Sequence, residues 1–92
     1  MKKYLIVSGD RLTDFPIVAF IDDGKKITTY SANEQSRRMW QSYVDRQEDP
    51  TIEKIASRFT YVNTDFGPVD DKKKLELEKL IKHLSTPKKP IV

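Results

Sequence analysis

Hydrophobic and polar positions alternate between two periods along this chain, and the changes of period mark the elements. Tyr4-Leu5-Ile6-Val7-Ser8 is short, β-branched and apolar on both faces, the pattern of a buried strand. Gly9 to Asp14 reads as a polar turn. Phe15 to Ile21 is a second apolar run, with Pro16 at its beginning, where a missing N–H matters least. Asp22-Asp23-Gly24-Lys25 predicts a hairpin reversal, because Gly24 supplies the positive φ the turn needs. Lys26 to Tyr30 alternates as a third strand. The period then lengthens. Ser31-Ala32-Asn33-Glu34 has capping-box spacing and predicts a helix to about Gln47, with Met39, Trp40, Tyr43 and Val44 as its apolar stripe. Asp49-Pro50 restarts a helix whose stripe is Ile52, Ile55, Ala56 and Phe59, which predicts two helices with a bend or one helix kinked at Pro50. Thr60 to Asn63 reads as a fourth strand stopped by Asp65-Phe66-Gly67-Pro68. A last helix from Asp70 to about Leu84 carries the seam Leu77, Leu80, Ile81 and Leu84.

This order predicts an α+β fold: a three-stranded antiparallel meander, a helical crossover to a fourth strand beside the first (order 4-1-2-3), and a C-terminal helix. A right-handed crossover returns the fourth strand parallel to its neighbour. Residues 1–85 form one domain, and 86–92 a basic Pro/Lys tail. Order 4-1-2-3 places the two doubly apolar strands in the middle, so the sheet needs cover on both faces. The crossover helices supply one cover and the C-terminal helix the other. Leu75 lies about 170° from the centre of that helix's seam, at about 100° per residue. These features predict contact with a target protein or a homodimer through the sheet or the C-terminal helix.

Composition narrows the chemistry. The 92 residues include no cysteine and a single histidine, which excludes disulfides, thiolate metal sites, Cys nucleophiles and two-histidine metal motifs. No metal, cofactor or membrane span is predicted, and the default location is the cytoplasm. Seventeen basic residues oppose 14 acidic ones. Lys2, Lys3, Lys88 and Lys89 sit at the chain ends, and without these four the remainder is one charge negative. The basic excess therefore belongs to the termini, a weak basis for neutralising a phosphate backbone.

Within the body, the carboxylates Asp10, Asp14, Asp22, Asp23 and Asp65 invite a magnesium reading. The expected order resembles the first part of the ribonuclease-H-like fold, in which a fourth strand runs parallel to the first. The resemblance implies a metal-dependent nuclease with Asp10, Glu34 and Asp65 in its acidic positions. Turn and cap roles account for the same residues, and the family's fifth strand has no counterpart here. Glu34 also stands four residues before Arg38, the spacing of a surface ion pair. Arg37 has no acid at that spacing, while Lys54 and Arg58 share a helix face without a carboxylate between them. Arg37, Trp40, Lys54, Arg58 and Leu75 are thus the candidate binding residues, with guanidinium groups suited to carboxylates or phosphates. Lys72-Lys73-Lys74 reads as a salt-bridged helix face, through Lys72–Glu76, Lys74–Glu78 and Glu78–Lys82. His83 suits the negative end of its helix.

Three function classes follow. The leading expectation is a small non-enzymatic interaction or regulatory protein that binds a protein or protein–nucleic-acid assembly. Very small basic chains without catalytic motifs are common among accessory proteins of phages and mobile elements, which makes an inhibitor of host machinery one form of this expectation. A direct DNA- or RNA-binding module is the first alternative, and the metal-dependent nuclease is the second.

Overall fold

The computed structural model describes residues 2–9, 17–59 and 63–85. Strands β1 (Lys3–Ser8), β2 (Val18–Asp22) and β3 (Ile27–Ser31) are followed by helices α1 (Glu34–Asp45) and α2 (Ile52–Ala56). Strand β4 (Asn63–Pro68) and helix α3 (Asp71–Ser85) complete the chain. The sheet order is β3-β2-β1-β4, so the meander and the place of the fourth strand agree with the sequence pattern. The β2–β3 reversal turns at Gly24, whose φ is 95°. Its aspartates are turn ligands: Gly24 N–H donates to Asp22 Oδ1, and Lys25 and Lys26 N–H both donate to Asp23 Oδ1. Those backbone donors hold the Asp23 carboxyl below its usual range.

Three local expectations are corrected. β4 starts at Asn63 and runs through the residues expected to stop it, and it pairs antiparallel with β1. The register shows why: Ser31, Val18, Val7 and Thr64 occupy one row across the sheet. The chain leaves β3 and enters β4 at the same end of the sheet, so the segment holding α1 and α2 returns to the end from which it departed. A single helical pass would have delivered a parallel strand. Second, α1 is capped by Asn33, whose Oδ1 accepts from Ser36 N–H. Ser31 instead ends β3, buried, and its Oγ accepts from Asn33 N–H. Third, α2 is capped by Thr51, whose Oγ1 accepts from Lys54 N–H, rather than by Asp49. The expected positions Asp10, Asp14, Phe15, Pro16, Thr60 to Val62 and the tail with Lys88 and Lys89 lie outside the described residues.

Directly opposed residues of an antiparallel sheet share a face. One face carries Leu5, Val7, Val18, Phe20 and Ile27, which pack with Val44, Ile52, Ile55 and Phe59 of the α1–α2 layer. Burial of each such side chain stabilises the fold by about 1.5–3 kcal/mol. The other face carries Tyr4 and Ala19, both buried, and α3 lies over it with Leu77 and Leu84 buried. Each face of the inner strands is therefore covered within one chain. Leu75 points away from this contact and is 63% exposed.

A polar network fastens α3 to its face. Tyr4 Oη donates to Asp65 Oδ1 at 2.9 Å, and the Lys73 ammonium sits 4.9 Å from the Tyr4 ring centroid. Lys73 also pairs with Asp65 at 3.6 Å and with Glu76 at 2.9 Å. Glu76 thus takes Lys73, three residues earlier, rather than Lys72. Burial, then the hydrogen bond to Asp65, pushes the Tyr4 phenol above its usual pKa.

The two sheet edges are unlike. Along β3, the side-chain amide of Gln41 reaches across from α1. It accepts from Thr29 N–H at 2.7 Å and donates to Ile27 C=O at 3.0 Å, as one residue of a further strand would. Along β4, all residues but Gly67 are exposed, and Phe66 is 48% exposed.

Candidate functional site

The helical layer holds an open cleft of about 380 Å³ lined by Met39, Trp40, Tyr43, Arg46 and Arg58. Its floor comes from the core. Trp40 lies half-buried against Phe59, ring centroids 4.7 Å apart, and meets Phe20 edge-on at 6.2 Å. Tyr43 stands edge-on to Trp40 at 5.7 Å. Because these rings are gripped from below, the cleft's aromatic surface is preorganised. Met39, 57% exposed, closes one side with a flexible, polarizable thioether.

Two arginines reach this surface from different helical segments. Arg58, just past α2, donates from Nε to Tyr43 Oη at 2.7 Å, with its guanidinium carbon 5.2 Å from the Tyr43 ring centroid. Arg46, at the end of α1, donates from Nε to Ser42 C=O. Among the described residues the hydrogen bonds of both guanidiniums run through Nε, so their terminal amino groups have no hydrogen-bond partner there. Neither arginine has a carboxylate partner among the described residues.

The remaining candidates are placed differently. Arg37 is not the freer guanidinium expected from i,i+4 counting. It donates from Nε and Nη2 to both oxygens of Glu34, three residues earlier, while Arg38 Nε donates to the same carboxylate. The i,i+3 neighbour is as close on a helix as the i,i+4 neighbour, and the planar fork makes it a two-bonded partner. The Arg37 bonds foremost draw the Glu34 carboxyl down to about 2. Lys54 folds back onto its own segment, Nζ donating to Asp49 C=O, and does not line the cleft. Leu75 sits on α3, beneath the opposite face of the sheet. Lys3 is a β1 residue rather than a loose end, ion-paired to Glu53 of α2 at 2.8 Å. Lys2 is exposed, and its C=O accepts from Val69 N–H.

Of the alternative acidic set, the described pair Glu34 and Asp65 is not brought together. Asp10 lies outside the described residues. Glu34 belongs to the helical layer, whereas Asp65 points to the α3 face, where Tyr4 and Lys73 hold it. The antiparallel β4 also departs from the ribonuclease-H-like order. Among the described residues, no three acidic or histidine side chains gather as metal ligands, and no helix is long and apolar enough to cross a membrane.

No family model, curated protein or solved structure matches this chain.

The structure brings together two of the five expected binding residues, Trp40 and Arg58. It adds Met39, Tyr43 and Arg46, of which the first two had been assigned to the core stripe. Their signal was present: Met39, Tyr43 and Arg46 recur at i, i+4, i+7, a stripe that ends in a cation instead of an aliphatic.

Proposed function

We propose that this chain is a small non-enzymatic interaction module that seats an acidic segment of a partner protein in the Trp40–Tyr43–Arg46–Arg58 cleft. One observation carries the reading. Among the described residues, the two arginines without a carboxylate are the two that border the aromatic cleft, while Arg37 and Arg38 share the Glu34 carboxylate. A carboxylate entering the cleft would accept from the terminal amino groups of Arg46 or Arg58, and an apolar side chain beside it would lie on Trp40. Tryptophan, tyrosine and arginine are the residues that most often anchor protein interfaces. Seating a partner without turnover acts by occlusion, as a regulator or inhibitor of the assembly that owns the segment.

The cleft's mainly apolar lining and the near-neutral body favour protein over nucleic acid, whose affinity grows with the number of phosphates engaged. Trp40 is the chain's single tryptophan, so its fluorescence reports on the cleft directly. The test is a fluorescence titration with seven-residue peptides pairing Asp or Glu with Phe or Leu, beside neutral analogues and 20-nucleotide single-stranded DNA and RNA. Saturable shifts with the acidic peptides, lost in Arg46→Glu and Arg58→Glu, are the expected result. Saturation by the oligonucleotides alone would move the assignment to a nucleic-acid-binding module, and no response to either would overturn the cleft as a binding site.

A further inference from the structure

We infer that the open edge of β4 pairs with the β4 edge of a second copy, in an antiparallel register centred on Phe66, to make one continuous eight-stranded sheet. Val69 N–H donates inward to Lys2 C=O, and the β1–β4 register runs without a break from Pro68 to Asn63. Inward-facing residues alternate along an antiparallel strand, so Gly67, Asp65 and Asn63 also face β1. Thr64 and Phe66 therefore present N–H and C=O outward, and Pro68 presents C=O alone. The other edge is closed at its centre by Gln41, which leaves β4 as the uncovered side among the described residues.

The outward pattern is self-complementary about Phe66. With Phe66 opposite its twin, the two exchange both backbone hydrogen bonds, and each Thr64 N–H meets the other copy's Pro68 C=O. Every outward N–H of the described strand is then satisfied, and the position lacking an N–H falls where only an acceptor is needed. The side chains agree. The two exposed Phe66 rings meet on one face, an aromatic cross-strand pair. On the other face Asp65 lies opposite Gly67 of the second copy. The competing register, with Thr64 opposite Phe66, would set the two Asp65 carboxylates directly against each other, and charge opposes it. Pro68 then limits the strand, so the contact stays short and concentration-dependent.

This inference stands apart from the cleft, which lies on the helical layer. Its first test is light scattering across protein concentration: the mass rises toward twice the monomer's, and Phe66→Lys and Thr64→Pro hold it at the monomer value. Circular dichroism confirms that both variants are folded. The second test uses the absence of cysteine from the sequence. In the Phe66-centred register a residue-66 pair is about 5.5 Å apart between Cα atoms, within disulfide reach. Diagonal residue-65 pairs stand roughly 7–8 Å apart, beyond that reach. Phe66→Cys should therefore cross-link on oxidation and Asp65→Cys should not. A chain that stays monomeric up to millimolar concentration would overturn the second copy as occupant, leaving the edge to a strand from another protein. Doubling that survives Phe66→Lys, or cross-linking through residue 65 instead of 66, would overturn this edge and register.

Discussion

At the N-terminal end of α1, Glu34 draws in both Arg37 and Arg38, and one anion and two cations condense into a single cluster. Two turns further on, Arg46 meets no acid, and Arg58 comes to it across the cleft from the next helical segment with the same lack. One helix thus holds arginines in two conditions. Side-chain charge alone does not make a recognition surface: the first pair is spent on a neighbour, and the second is kept available beside aromatic rings. The difference lies in where the carboxylates are. The first turn of α1 contains Glu34, where it also complements the helix dipole, and among the described residues no acid lines the cleft.

The largest expected effect comes from removing the ring that joins core to cleft. Trp40→Ala should cost about 3 kcal/mol in urea unfolding, the low end for a tryptophan because this one is half-buried. Arg37→Ala should leave the urea midpoint within error. In peptide binding, Arg46→Glu or Arg58→Glu should weaken the acidic peptides at least about tenfold, a loss of roughly 1.4 kcal/mol. Arg37→Ala and Arg38→Ala should change affinity less than about twofold. Equal losses at both ends of the helix would erase the distinction.

Between the two ends, Gln41 ties α1 to β3. Gln41→Leu leaves Thr29 N–H and Ile27 C=O without their partner and should destabilise by about 1–3 kcal/mol, with faster amide exchange at Thr29. Thr29 offers the reverse case: its hydroxyl is buried with no hydrogen-bond partner among the described residues. Thr29→Val should be neutral or slightly stabilising by thermal unfolding.

The smallest effect is a pH signature of the closed end. The Glu34 carboxyl is depressed to about 2 in the fold against about 4.5 in the free chain. Its contribution is therefore complete above pH 4.5 and disappears as pH falls through 2. The melting temperature of Glu34→Gln should lie slightly below the wild type's at pH 7, and the two should converge by pH 2. A constant gap would mean the Arg37 bonds do not depend on that charge.

Much of the fold was legible from periodicity. The meander, the Gly24 reversal, the two helices with a bend and the strand order all follow from where period two gives way to 3.6. The direction of β4 was not, because it depends on how many times the chain crosses the helical layer, which no local pattern records. The segment Asp65-Phe66-Gly67-Pro68 looked like a terminator since Asp65, Gly67 and Pro68 are poor strand formers. Pairing with β1 overrides that propensity, as edge strands tolerate glycine and proline. The site was half legible. Trp40 and Arg58 stood out by type, whereas Tyr43 and Met39 were hidden inside an apolar stripe. Arg37 misled because its acid sits three residues away rather than four.

The most direct test of the central claim is an NMR titration with the acidic peptide, following the arginine Nε–H and tryptophan Nε1–H signals. The account predicts that Trp40, Arg46 and Arg58 shift together and saturate at one concentration while Arg37 and Arg38 stay in place. Shifts concentrated at Arg37 and Arg38, with Trp40 unmoved, would contradict it.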